Sequence, residues 1–147
     1  MPPITVSTEV DRPAADVYAY ATDPSRFAEW QDGVVSGRME GDGGASVGTR
    51  CVTVRRIGFA DRASTAELVR ADPPRGWAVR GVDGPIRAAV DVTVEPLGAE
   101  RSRLTIAVDF TGHGVGRVLV PLAVRPEARR RMPSNLATLR RLLESAR

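Results

Sequence analysis

Ile4, Val6 and Val10 alternate with polar residues, the period of a strand buried on one face. The period then lengthens. Pro13 suits a first helical turn, Asp16 complements the positive end of that helix, and Val17, Tyr20 and Ala21 fall on one side of it. Asp23 can cap a second start and Pro24 can take its first position, so a short helix is predicted from Pro24 to Gln31, stopped by Gly33. Phe27 and Trp30 share one side of it and should pack onto whatever the sheet encloses.

From Val34 to Gly112 turn signals recur at hairpin intervals: Gly41-Asp42-Gly43-Gly44, Gly58 to Asp61, Asp72 to Gly76, Asp83-Gly84-Pro85, and Leu97 to Arg101. The intervening segments are short and rich in β-branched residues, which predicts six further antiparallel strands. Two alternate clearly. Ile86, Ala88, Val90, Val92 and Val94 form one dry face, and Leu104, Ile106, Val108 and Phe110 another, opposite Asp91 and Asp109 respectively. The strands near Thr49 to Arg56 and Ala63 to Arg70 do not disclose which side chains turn inward.

Gly112-His113-Gly114-Val115-Gly116 ends the strand pattern, and helical spacing takes over. Val118, Leu122, Met132, Leu136, Leu139 and Leu143 lie in one broad stripe, which holds its phase across Pro121, Pro126 and Pro133 and so predicts one long, bent helix. On an ideal helix Arg125 and Arg129 would join the stripe. A register shift near Pro126 would spare them burial, since an unpaired guanidinium is costly to desolvate; the alternative is an arginine at the mouth of a cavity. The sum is an α+β chain: a curved seven-stranded antiparallel sheet gripping a long C-terminal helix, with two short helices between strands 1 and 2. The whole of residues 1–147 is expected to be one domain.

At 147 residues such a domain buries about 70% of the surface its unfolded chain exposes and needs no staple. Cys51 is the only cysteine, which excludes an internal disulfide and a cysteine-based zinc site. The 21 basic residues, all arginine, exceed the 18 acidic ones by only three. That balance, without interleaved aromatics, argues against nucleic acid as a partner. The four arginines between Arg125 and Arg131 read first as a solvated helix face and otherwise as a contact for an acidic partner, an anionic ligand or a membrane surface. The first residues have neither the basic start nor the apolar core of a secretion signal, and no apolar run could insert stably in a membrane, so a cytoplasmic location is expected.

The stretches Ile4-Thr5-Val6-Ser7, Pro13-Ala14-Ala15-Asp16-Val17-Tyr18 and Asp23-Pro24-Ser25-Arg26-Phe27-Ala28-Glu29-Trp30 resemble the opening of the START-like, or SRPBCC, helix-grip superfamily. Val47-Gly48-Thr49, Ala71-Asp72-Pro73-Pro74, Phe110-Thr111-Gly112 and the closing Leu136 to Glu144 are similar to its polyketide cyclase or dehydrase-like branch. The resemblance spans essentially the whole chain. It implies an apolar tunnel between sheet and helix that takes lipids, polyketides, sterols or similar molecules, and it leaves catalysis open because the superfamily mixes enzymes, carriers and regulatory subunits. The proline-rich final helix departs from the smoother helix usual for the family.

Trp30, Met39, Trp77, Val90, Val108, Phe110 and Leu122 are the expected lining of that cavity. No cofactor is expected. One histidine and one cysteine cannot assemble a metal set, Ser102 and Ser134 lack a nucleophile-elbow context, and the glycines at 112, 114 and 116 do not complete a dinucleotide loop. His113 reads either as a loop residue or as a base at the pocket edge, Glu67 and Tyr20 as polar groups within reach of the cavity, and Asp91 and Asp109 as solvated. No catalytic residue is assigned. Three functions remain: binding of a hydrophobic small molecule, a polyketide cyclase or dehydratase activity on such a molecule, or a regulatory protein-binding role. A homodimer is compatible with each.

Overall fold

A computed structural model describes residues 2–41, 46–57 and 59–146. All seven expected strands form: β1 (Ile4–Val10), β2 (Val34–Met39), β3 (Arg50–Ile57), β4 (Ala60–Asp72), β5 (Gly76–Gly81), β6 (Ile86–Gly98) and β7 (Arg101–Gly112). They make one curled sheet in the order β1-β7-β6-β5-β4-β3-β2, antiparallel throughout, with β1 and β2 at its edges. The turns expected at Gly41 to Gly44 and at Gly58 fall largely outside the described residues. Between β1 and β2 stand α1 (Ala14–Ala21), a 3-10 turn (Pro24–Arg26) and α2 (Phe27–Trp30). Asp23 caps the 3-10 turn as its sequence suggested, its Oδ1 accepting from the Ser25 amide at 3.0 Å.

The β6–β7 hairpin fixes the concave face. Val94 lies opposite Leu104, Val92 opposite Ile106, Val90 opposite Val108 and Ala88 opposite Phe110, so the two alternating patterns stack into one apolar wall. Register also settles the strands whose pattern was ambiguous. Cys51 lies opposite Met39 and Ala66, Thr53 opposite Gly37 and Ser64, and Arg55 opposite Val34 and Arg62. Met39, Ala66 and Val34 belong to the core or pack on it, which places Cys51, Thr53 and Arg55 on the concave side as well. Gly37 serves a close approach there: a Cβ at that position would collide with the Pro24 carbonyl, so the 3-10 turn can lie directly on β2.

The C-terminal helix runs as α3 (Gly116–Leu119), a π turn (Val120–Val124) and α4 (Arg125–Ser145), with Pro133 inside α4. It is the single long helix expected, but its apolar stripe does not keep phase. The wide π turn at Pro121 breaks the register, so Leu136, Leu139 and Leu143 are buried on the sheet while Val118 and Leu122 turn outward, 57% and 74% exposed. Leu122 therefore does not project between sheet and helix as its spacing predicted.

Both ends of this helix are fastened. At its end, Arg12 donates to the Leu143 carbonyl at 2.6 Å and the Asp11 amide donates to Glu144 Oε2 at 2.9 Å. At its start, Gly116 packs so tightly on the Pro85 carbonyl, and Gly112 on Gly116, that neither site has room for a Cβ.

Candidate functional site

The concave face is graded from filled to open. At the end formed by Val10, Val17, Leu68, Val94, Leu104 and Leu139 the side chains are fully buried. Trp30 and Trp77 belong to this filled half, 6% and 3% exposed. Both meet Phe27 edge to face, at centroid separations of 6.0 and 6.3 Å. Tyr18 closes the cluster from α1, donating its hydroxyl to the Gly76 carbonyl at 3.0 Å. The Trp30 indole N–H is buried and has no hydrogen-bond partner among the described residues, so a donor stands ready there for an acceptor.

Toward the opposite end the same strands carry apolar side chains that keep water contact. Ile86, Ala88 and Val90 on β6, Val108 and Phe110 on β7, and Met39 on β2 are all partly exposed although they lie on the face that holds the core. This end of the concave face is therefore an apolar stretch that stays partly open to water, the recess. Of the seven side chains expected to line a cavity, Met39, Val90, Val108 and Phe110 stand on this recess, Trp30 and Trp77 in the filled half, and Leu122 outside on the solvent face of the helix.

Sequence periodicity did not place Arg55. Arg55 sits on the concave face beside α2, where its Nη2 donates to Gln31 Oε1 at 3.3 Å. The residue is exposed to solvent. Desolvation lowers its pKa from the ordinary value, with Cys51 opposing that effect, and guanidinium stays protonated. A cation in such a place attracts a carboxylate, enolate or carbonyl oxygen. Cys51 is no nucleophile: burial pushes its thiol pKa up, outweighing the Thr53 hydroxyl 3.9 Å away.

A second arginine enters the interior by another route. Arg125 is 3% exposed and its Nη1 meets Asp109 Oδ1 at 3.1 Å, while its Nη2 donates to the Pro2 carbonyl at 2.7 Å. Asp109 was expected to be solvated; it is instead the counter-charge that lets the guanidinium be buried, and its Oδ1 also accepts the Phe110 amide at 2.9 Å. The register shift does occur, at the π turn, and Arg125 is buried all the same. Arg129 is exposed.

His113 stands near the Ile86 end of the recess, its amide donating to the Pro85 carbonyl at 2.8 Å. His113 is exposed in the loop before α3, and Asp91 is exposed on the convex face. Tyr20 donates to Glu29 Oε1 at 2.9 Å, and burial followed by that bond pushes its pKa up to about 12. Among the described residues no group of His, Cys, Asp and Glu could hold a metal ion, and no helix is long and apolar enough to cross a membrane.

Two clefts open elsewhere on the surface. One, of about 660 Å³, runs between the free edge of β1 and α4, from Val6 and Thr8 to Leu136 and Arg140. The other, of about 230 Å³, lies between α2 and α4 beside Asn135. Neither contains the recess residues or Arg55. The first has a mainly apolar lining that includes Val6, Pro133, Leu136 and Ala137 and opens on the Arg140–Glu144 ion pair at 3.3 Å, and the second is mostly polar.

A curled antiparallel sheet closed on a C-terminal helix, with short helices after the first strand, defines a helix-grip protein. The chain belongs to the polyketide cyclase / dehydrase and lipid transport family, whose sequence profile matches residues 1–144. Among solved structures it is similar to the Zhui aromatase/cyclase from Streptomyces sp. R1128, with 15% identity and a TM-score of 0.80 over 97% of this chain and 93% of that one. It is similar also to TTHA0849 from Thermus thermophilus, at 20% identity and a TM-score of 0.77 over 99% of both chains. A START superfamily protein from Mycobacterium smegmatis shares 13% identity and a TM-score of 0.72 over 99% of this chain and 97% of that one. Such identities establish the fold alone. No curated protein matches the sequence.

Proposed function

We propose that the protein binds a hydrophobic small molecule bearing an oxygen-rich or anionic end, held in the recess of the concave face. The observation that carries this reading is the partly exposed wall of Val90, Val108, Phe110 and Met39, on the same face as the Arg55 guanidinium. The apolar wall would take the body of the guest by desolvation, and Arg55 would fix its polar end with a charge-assisted hydrogen bond. Lipid-, polyketide- and sterol-like molecules have this build.

A cyclase or dehydratase activity is the second reading, favoured by the likeness to an aromatase/cyclase and by Arg55, which could hold an enolate oxygen. Such a reaction also needs a base within reach of the proton alpha to the carbonyl. Asp109 is engaged by Arg125 and Tyr20 by Glu29, so binding is the reading preferred here.

Displacement of an anionic naphthalene-sulfonate dye tests the proposal. The wild type should take up the dye saturably, Val90→Trp should fill the recess and lose uptake while keeping its circular-dichroism spectrum, and Arg55→Leu should weaken binding of the anionic dye about tenfold more than that of a neutral analogue. A wild type that takes up neither dye overturns the reading.

A further inference from the structure

The open end of the grip carries apolar side chains that nothing in the fold covers. Val115, Val118, Leu119 and Leu122 recur at three- and four-residue intervals, so they form one stripe along the first turns of the C-terminal helix, and they are 64%, 57%, 38% and 74% exposed. Phe59, at the tip of the β3–β4 hairpin, is fully exposed. Because alternate strands of an antiparallel sheet run the same way, the ends of β3, β5 and β7 lie at one end of the sheet, which places Phe59 and the stripe on the same end of the molecule.

Charge gathers there too. Leaving aside the buried Arg125 and its partner Asp109, residues 31–34, 55–57, 59–62, 81–87 and 111–131 bound this end and hold eight of the 21 arginines against four of the 18 acidic residues. The modest net charge of the chain conceals a polarised one. Arg62, Arg117 and Arg129 are exposed and have no ion-pair partner among the described residues.

We propose that this end docks on an anionic phospholipid surface. Side chains that protrude from two separate elements suit insertion between headgroups better than they suit a partner's groove, and unpaired guanidiniums around them match lipid phosphates and carboxylates. Docking turns the Ile86 and Phe110 end of the concave face toward the membrane. The site is distinct from the recess, so the two proposals fail separately.

Co-sedimentation with vesicles of phosphatidylcholine and phosphatidylserine in about a two-to-one ratio, against phosphatidylcholine alone, is the test. The wild type should bind the mixed vesicles, bind neutral ones at least tenfold more weakly, and release at about 0.5 M salt. Phe59→Asp and Leu122→Asp should each weaken binding about tenfold, and Arg62→Gln/Arg117→Gln/Arg129→Gln about a hundredfold, since each arginine near such a surface is worth about fivefold. All five positions are exposed, so the folded state should survive each change. Absence of binding to mixed vesicles, or binding that these substitutions leave intact, overturns the proposal while dye uptake by the recess still stands or falls on its own. A concentration-dependent dimer abolished by Phe59→Asp and Leu122→Asp, in a protein that ignores vesicles, would reassign the surface to self-association and equally overturn it.

Discussion

Replacing Asp109 by alanine should destabilise the protein because it strands a buried cation. Arg125 is 3% exposed and the carboxylate 3.1 Å away is its only counter-charge in contact among the described residues, while the Pro2 carbonyl supplies a neutral bond. Breaking a wholly buried pair costs about 3–5 kcal/mol, and a hydrogen bond to a charged group contributes about 1.5–3 kcal/mol. The Asp109 side chain is 46% exposed, so water screens the pair and the lower range applies. Losing the Phe110 amide bond adds little, because water can replace it. The expected loss is about 2 kcal/mol, a fall in Tm of about 4–8 °C for a chain of this size. Urea denaturation should show a lower midpoint at an unchanged slope. The double variant Asp109→Ala/Arg125→Met removes the stranded charge and should recover at least half of the loss. An Asp109→Ala protein within about 0.5 kcal/mol of wild type, or a double variant less stable than the single one, would refute the assignment of this pair.

Leu139→Ala should cost about 2–5 kcal/mol by urea denaturation, because the side chain is fully buried, whereas Leu122→Ala on the exposed stripe should stay within about 0.5 kcal/mol of wild type. Gly116→Ala should destabilise by about 1–3 kcal/mol in the same assay, since its methyl group would meet the Pro85 carbonyl and the helix start would have to shift. The Tyr20 pKa is raised from 10.0 to about 12, so the unfolded chain sheds this proton first as pH rises. Its contribution is intact below pH 10 and lost between pH 10 and 12; Tyr20→Phe should flatten that part of a stability-versus-pH curve, and an identical decline in the variant would contradict the assignment.

The strand count, the two short helices and the long final helix were legible because alternation in β6 and β7, Asp23-Pro24 and the glycine-bounded turns are local signals that tertiary packing had no reason to override. The inward face of β3 was not legible. Cys51, Thr53 and Arg55 follow a two-residue period, but a period does not say which phase is dry, and only pairing with Met39 and Val34 decides it. Leu122 departs from the ideal 3.6-residue repeat because the helix widens for one turn at Pro121, which no local signal announces. Asp109 and Arg125 are 16 residues apart in sequence and on different elements, so neither spacing nor composition could pair them. The same holds for the recess: which aliphatic positions are packed and which stay wet depends on how sheet and helix come together, a property of the assembled molecule.

The gradient along the concave face separates cohesion from recognition. Leu68, Leu104 and Leu139 hold the chain together at one end, while Ile86, Ala88, Val90 and Phe110 contribute less to stability because they are only partly sheltered. Exchanging those four for larger, smaller or more polar side chains therefore reshapes the room for a guest without unfolding its container. Under the binding role proposed above, a handful of changes in one place would retune the scaffold to new molecules.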